Sequence, residues 1–245
     1  MGVELFEVGG SIRDEFLGLK NSDRDFVAVC PSGWDGLLEW AEDELDKLFL
    51  VTPEFFTIRG IKDKEVFDIV MARKEGAYSD GRHPDSVEPG TLEDDLARRD
   101  FTMNAIARSV STGDLFDPFG GREDIQDRVI RCVGNSAERV EEDALRIMRA
   151  LRFFLTKDLD LDYDLTAMLR ENVLVNDSTH YESRHITSLL KSVSRERIRE
   201  ELHKIFKHDS LVAARVLFNE DFVASELQEA FLGEDIWLKP SMGRK

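Results

Sequence analysis

The sequence predicts an α+β protein: an α/β head over residues 1–135 with a small mixed sheet, followed by an all-helical part over 136–245. Three observations carry this. Two apolar runs, Leu5–Val8 and Phe26–Cys30, flank a glycine pair and a short amphipathic stretch, the pattern of strand, turn, helix and strand. Phe55–Ile61 and Glu65–Met71, rich in β-formers, read as a hairpin across the polar IKDKE stretch. Val140–Leu155 is strongly helical in its spacing, and the remainder alternates helices with polar joints.

Taken in order, Ser11 is placed to cap a helix over 11–19. Trp34, Leu37, Leu38, Ala41, Leu45 and Leu48 fall at helical intervals and predict a helix over 34–48. Residues 75–98, with two Pro, three Gly and many charges, read as a long mobile loop, and loops of that length are usually functional or disordered. FTMNAIARSV then turns helical, LFDPFGG makes a turn, and EDIQDRVIRCVG resumes the helical pattern. Ser194–Phe206 is a further amphipathic helix, with Ile198, Leu202, Ile205 and Phe206 on one side and Arg195, Arg197, Arg199 and Lys204 largely elsewhere.

At 42% apolar residues the chain has ample material for a core. Its two cysteines, Cys30 and Cys132, make no disulfide framework, so a reducing, cytoplasmic setting is expected. No run is long enough to span a membrane, and four acidic residues within Met1–Phe16 argue against a secretory signal. The net charge of −17 argues against non-specific nucleic-acid binding, which depends on neutralising phosphates. The acidity is uneven: residues 184–215 carry 8 Lys+Arg against 4 Asp+Glu, so this stretch can still face a polyanion.

Three constellations carry chemistry. In the first, Gly9 and Gly10 stand between a strand and a helix, where backbone N–H groups can approach phosphate oxygens; Arg13 and Asp14 follow. Asp23 and Asp25, at i and i+2, project from one face if the segment is extended. Such a pair suits hard divalent cations at an in-line displacement on phosphorus. Asp68, alone inside the apolar VFDIVM, is the candidate third carboxylate, costly there unless paired or metal-bound. A bare D-x-D is most often solvated surface charge; the glycine pair, the spacing and the strand carboxylate together reverse that reading.

The second is Arg98-Arg99-Asp100-Phe101-Thr102-Met103-Asn104. Forked guanidinium donors there suit a triphosphate or ribose, with Asp100 orienting one arginine and Asn104 one turn later; the alternative is a capping Asp with flanking charges. The third is Glu142-Asp143-x-x-Arg146, where a helix would bring an acceptor and a donor to one face. Such a pair matches the Watson–Crick edges of cytosine and adenine and refuses uracil and guanine. By spacing alone it is equally an intrahelical ion pair. Arg149 and Arg152 continue the series, toward phosphates or toward solvent.

The ordered set GGSIRDEFLG, SDRDFVAV, RRDFTMNAIA, LFDPFGGREDIQDRVIRCVG and EEDALRIMRALRF resembles the class II tRNA nucleotidyltransferases (CCA-adding enzymes) and bacterial poly(A) polymerases, within the polymerase-β-type nucleotidyltransferases. The resemblance spans roughly residues 3–155, and SRERIREELHKIF resembles a helix the family carries further along. It implies a catalytic nucleotidyltransferase head over 1–135 and a helical neck with a shortened body over 136–245. It implies template-independent, Mg²⁺-dependent addition of C and/or A from CTP and ATP to the 3′ end of tRNA. An ATP-only polyadenylating enzyme, a partial CC- or A-adding one, and a nucleotidyltransferase with another acceptor stay open. The implied roles are metal binding by Asp23 and Asp25, catalysis by these with Asp68, and triphosphate contacts by Gly9, Gly10 and Arg13. Arg99, Asp100 and Asn104 would attend the ribose and phosphates, Glu142, Asp143, Arg146 and Arg149 the nucleotide, and residues 75–98 the switch from C to A. Where the family often has an apolar residue between the two aspartates this sequence has Arg24, which reads as outward-facing.

Overall fold

A computed structural model describes residues 2–20, 23–76, 87–176 and 180–233, in two compact units that divide at 127/128. The first unit is built on a seven-stranded mixed sheet. Its elements run β1 (Glu4–Val8), α1 (Gly10–Phe16), β2 (Asp25–Val29), α2 (Gly33–Glu44), β3 (Lys47–Thr52), β4 (Thr57–Lys62), β5 (Glu65–Met71), β6 (Arg73–Glu75), β7 (Val87–Pro89), α3 (Leu92–Ala97), β8 (Ala107–Ser109), β9 (Leu115–Phe116) and α4 (Gly121–Gln126). The order across the sheet is β3-β4-β5-β2-β1-β8-β9, antiparallel except for β2 beside β5.

The 3.6-residue stripe predicted for 34–48 is real but ends four residues early, at Glu44. It puts Leu37 and Ala41 of α2 against Phe26, Ala28, Ile58, Ile69 and Met71 of the sheet. Each such large apolar side chain removed from water contributes about 1.5–3 kcal/mol. Gly60 on β4 is required here: a Cβ would stand 2.7 Å from Leu45 Cδ1 and 2.9 Å from the Lys47 carbonyl oxygen. Phe26 and Phe67 stack at 4.9 Å.

Three expectations fail in this unit. The first helix is capped by the left-handed Gly9 rather than by Ser11. Within 75–98, β6 pairs with β7, and α3 opens on a reciprocal capping box between Thr91 and Asp94, so the described part of that segment is ordered; residues 77–86 lie outside the described residues. Phe101–Val110 is not a helix but a short 3₁₀ turn, Thr102–Asn104, leading into β8 beside β1. Met103, Ile106 and Val110 mimic a helical stripe, yet the first two are fully buried because the chain passes beneath α1 and enters the sheet.

The second unit holds β10 (Val129–Ile130), α5 (Ser136–Glu142), α6 (Leu145–Lys157), β11 (Asp160–Leu161), α7 (Tyr163–Glu171), β12 (Val173–Asn176), β13 (His180–His185), α8 (Ile186–Leu190), α9 (Arg195–His208), α10 (Ser210–Leu217) and α11 (Ser225–Leu232). It is mainly but not wholly helical: β10 pairs parallel with β11, and β12 antiparallel with β13. The main helical pair is α6 on α9, with Leu145, Met148 and Leu151 on one and Ile198, Leu202 and Ile205 on the other buried. Arg152 of α6 donates through Nε to Glu201 of α9, and Lys204 Nζ reaches the same carboxylate at 3.0 Å. Burial pushes the Glu201 carboxyl up, but Arg152 and Lys204 more than offset it, so it ionises below the usual carboxylate range. The pair therefore supports folding above the ordinary glutamate pKa and is lost as pH falls through the lowered one. Glu201→Ala is expected to cost about 1.5–3 kcal/mol in urea unfolding at neutral pH, because it removes the part-buried carboxylate that Arg152 and Lys204 share; a loss below about 0.5 kcal/mol would refute it.

Among the described residues no helix is long and apolar enough to cross a membrane.

Candidate active site

The site in the first unit is organised by strand register. Arg59 on β4 faces Asp68 on β5, Asp68 faces Asp25 on β2, and Asp25 faces Val8 on β1. Direct register partners share a face, so Arg59, Asp68 and Asp25 form one row across three strands. Asp25 opens β2; Asp23 lies just ahead of it, outside the strand. The carboxylate of Asp68 is held in a fork by Arg59, with Nη2 to Oδ2 at 2.7 Å and Nε to Oδ1 at 2.5 Å. Arg24 turns to Glu7 at 2.9 Å and lies over the Phe26 ring, an outward position.

Asp25 is exposed at the start of β2, yet crowding by protein partly desolvates its carboxyl. That crowding pushes its carboxyl above the ordinary aspartate value. Arg99 pulls it down, Asp68 and Asp23 push it further up, and Arg59 pulls against them. Both aspartates offer hard oxygen donors, and their mutual repulsion is what a divalent cation would relieve. The donor set therefore fits a Mg²⁺-type ion. Among the described residues, however, no three His, Cys, Asp or Glu side chains are gathered closely enough to enclose one. Both oxygens of Asp68 are engaged by Arg59.

Beside this row, β1 runs into Gly9 at φ +76°, where a Cβ would stand 3.0 Å from Arg99 Nη1. Only glycine allows both the backbone angle and the approach of that guanidinium. Arg13, on α1 and buried, donates to Asp14 at 2.9 Å and to Asn104 Oδ1 at 2.7 Å; Asn104 Nδ2 donates to Asp100 Oδ1 at 2.9 Å. Asp100 also accepts from the Phe101 N–H. Sequence reasoning passed over the residue that orients the arginines. It is Asp95 on α3, fully buried, which accepts from Arg98 Nη2 at 2.6 Å and Nε at 3.0 Å, and from Arg99 Nη2 at 3.1 Å. The capping box that starts α3 was the available signal. Arg99 Nε is buried without a hydrogen-bond partner.

The LFDPFGG stretch serves as support. Asp117 accepts from the Gly121 and Arg122 N–H groups, and a Cβ on Gly121 would meet the Thr102 carbonyl oxygen at 2.1 Å.

In the second unit Glu142, Asp143 and Arg146 are neighbours, but not along one helix. Asp143 adopts φ −147° and ψ 99°, which ends α5; α6 starts at Leu145. Arg197 of α9 forks onto Asp143 at 2.6 and 3.2 Å, while Arg146 donates to Glu142 Oε2 and to the Arg139 carbonyl oxygen, both at 3.0 Å. Arg197 lies 54 residues from its partner, and no local spacing signals it. Arg149 lies 5.9 Å from the Phe153 ring.

A family model described as "Poly A polymerase head domain" matches residues 5–131. A CCA-adding enzyme of Bacillus cytotoxicus is 36% identical over 209 residues, 83% of this chain and 46% of that protein. One from Listeria monocytogenes is 35% identical over 211 residues, 84% of this chain and 51% of that protein. Among solved structures, the Bacillus stearothermophilus CCA-adding enzyme in complex with CTP superposes with a TM-score of 0.72 at 30% identity, covering 91% of this chain and 49% of that one. The Thermotoga maritima CCA-adding enzyme complexed with tRNA gives 0.65 at 29% identity, covering 87% and 45%. The chain spans about half the length of the curated relatives it matches.

Proposed function

This chain belongs to the poly(A) polymerase head-domain family, and on that premise we propose that it is a template-independent nucleotidyltransferase adding C and A to the 3′ end of tRNA from CTP and ATP. The observation that carries the reading is the Asp68–Asp25 row beside the Gly9 turn, with Arg99 laid over that turn. Asp23 and Asp25 would hold Mg²⁺, with Asp68 joining them once free of Arg59; the bound ion supplies Lewis-acid stabilisation of charge at phosphorus.

The chain's own groups then divide the work. The 3′ oxygen of the acceptor attacks the α-phosphorus, its O–H proton passing to a carboxylate of the row, which this reading assigns to Asp68. The bond from the α-phosphorus to the bridging oxygen breaks, and pyrophosphate leaves with that electron pair. Arg98 and Arg99, fixed by Asp95, face the growing negative charge on the leaving group, with Arg13 held ready by Asp14 and Asn104. Gly9 and Gly10 let the triphosphate approach the backbone closely. Asn104 and Asp100 would take the ribose. Asp143 and Arg146 would present acceptor and donor to the base, with Glu142 steadying Arg146 and Arg149 adding positive charge.

Radiolabelled CTP and ATP, offered with tRNA lacking its last three nucleotides, should yield a three-nucleotide extension that needs both substrates. Absence of any incorporation would sink the proposal. The name of the matching family model favours a second reading, ATP-only polyadenylation. Sequencing the product made from all four NTPs separates the two.

A further inference from the structure

Arg59 is the one member of the cross-sheet row that the proposed reaction does not use. It stands on β4 directly opposite Asp68, and its guanidinium spans both oxygens of that carboxylate at 2.5 and 2.7 Å. Asp68 in turn faces Asp25 in register on β2. The arrangement is therefore a positive charge seated at the end of a carboxylate pair, where it neutralises one of the two groups. Resting on the metal-site reading above, we infer that Arg59 is a resident counter-ion that competes with the divalent cation for Asp68, and that the metal completes its ligand set only by displacing the guanidinium.

Three features support this. The fork engages both Asp68 oxygens, the same atoms a cation would need, so the two partners compete for them. The pair is only partly buried, with Arg59 side chain 46% and Asp68 34% exposed, so the exchange does not strand either charge away from water. Finally, Arg59 has an alternative: a four-bond stem on an exposed strand position lets its head swing into solvent without disturbing the backbone pairing of β4 with β5. Arg59 so placed makes metal-free protein self-compensated and sets a threshold for metal loading. It acts on the site through Asp68 and is a positioning residue.

The test is direct binding of Mn²⁺, followed by the electron paramagnetic resonance signal of the free ion, in wild type and in Arg59→Met, Arg59→Lys and Asp68→Asn. Freeing the Asp68 carboxylate from the guanidinium that holds it is expected to tighten Mn²⁺ binding about tenfold in Arg59→Met. Arg59→Lys, which keeps the charge but loses the fork, should fall between wild type and Arg59→Met. In the double variant Arg59→Met/Asp68→Asn the gain should vanish, because competition requires Asp68. Thermal melting of each variant in EDTA confirms that it is folded; Arg59→Lys carries the test should Arg59→Met melt early. Unchanged or weaker Mn²⁺ binding without the Arg59 fork overturns the inference and leaves the metal site standing. A gain that persists without Asp68 overturns it too. No Mn²⁺ binding by any of the proteins overturns the metal-site reading and, with it, the role of Arg59.

Discussion

Asp25→Asn is expected to abolish nucleotide transfer, by a thousandfold or about that, and at the same time to raise the melting temperature measured in EDTA. The two effects share one cause. Crowding pushes the Asp25 carboxyl above its ordinary value, and Asp68 and Asp23 add to it, so the folded protein holds that proton more tightly than the unfolded chain does. In the window between the ordinary aspartate pKa and the raised one, stability falls as pH rises; above it, the ionised carboxylate costs folding free energy. Asparagine removes the charge and keeps the shape. The gain in melting temperature over wild type should therefore be present at neutral pH and shrink on acidification below the ordinary aspartate pKa. A variant that melts like wild type at neutral pH and turns over at near-native rate would refute both the electrostatics and the assignment.

The second large effect concerns base choice. Asp143→Asn exchanges one acceptor oxygen for a donor NH₂ group while leaving an oxygen for Arg197. Cytosine and adenine offer an amine donor where uracil and guanine offer an acceptor. Preference for CTP over UTP is thus expected to fall by about a hundredfold or more, read as the ratio of kcat/KM values, with Mn²⁺ affinity unchanged. Asp143→Ala is a poorer probe, since it removes both oxygens that Arg197 holds where Asp143→Asn keeps one, at about 1–3 kcal/mol. Unaltered CTP preference in Asp143→Asn would remove Asp143 from the base-reading role.

Much of the architecture is legible in the sequence, and the reasons it is partly illegible are specific. The apolar runs around Phe26 and Ile69 announce β2 and β5 and place Asp68 on a strand; Asp25, read as lying just ahead of its strand, opens β2 instead. The glycine pair marks the turn after β1. What local pattern cannot supply is register. The hairpin over 55–71 is readable, but only the structure shows that Arg59 is the residue opposite Asp68. Charge-rich composition hides α3: Leu92–Ala97 holds three acidic residues, so it reads as loop, and the buried Asp95 goes unnoticed among them. Met103, Ile106 and Val110 imitate helical spacing in a segment that folds as turn and strand. At Glu142–Arg146 the period is helical on both sides of a break at one extended residue, Asp143, whose carboxylate is held by Arg197 from a distant helix. Local propensity is outweighed wherever a long-range partner supplies more than a turn of helix loses.

The parallel neighbours β2 and β5 bear on how the molecule matures. Strands that lie side by side and run the same way cannot be joined by a tight turn, and here α2, β3 and β4 all intervene. The two acidic groups thus meet only after a non-local closure, a slow class of event in chain collapse. A growing polypeptide on the ribosome would carry Asp25 long before its row existed, and the row would close only when the sixth and seventh decades of residues had emerged and zipped against the earlier strand.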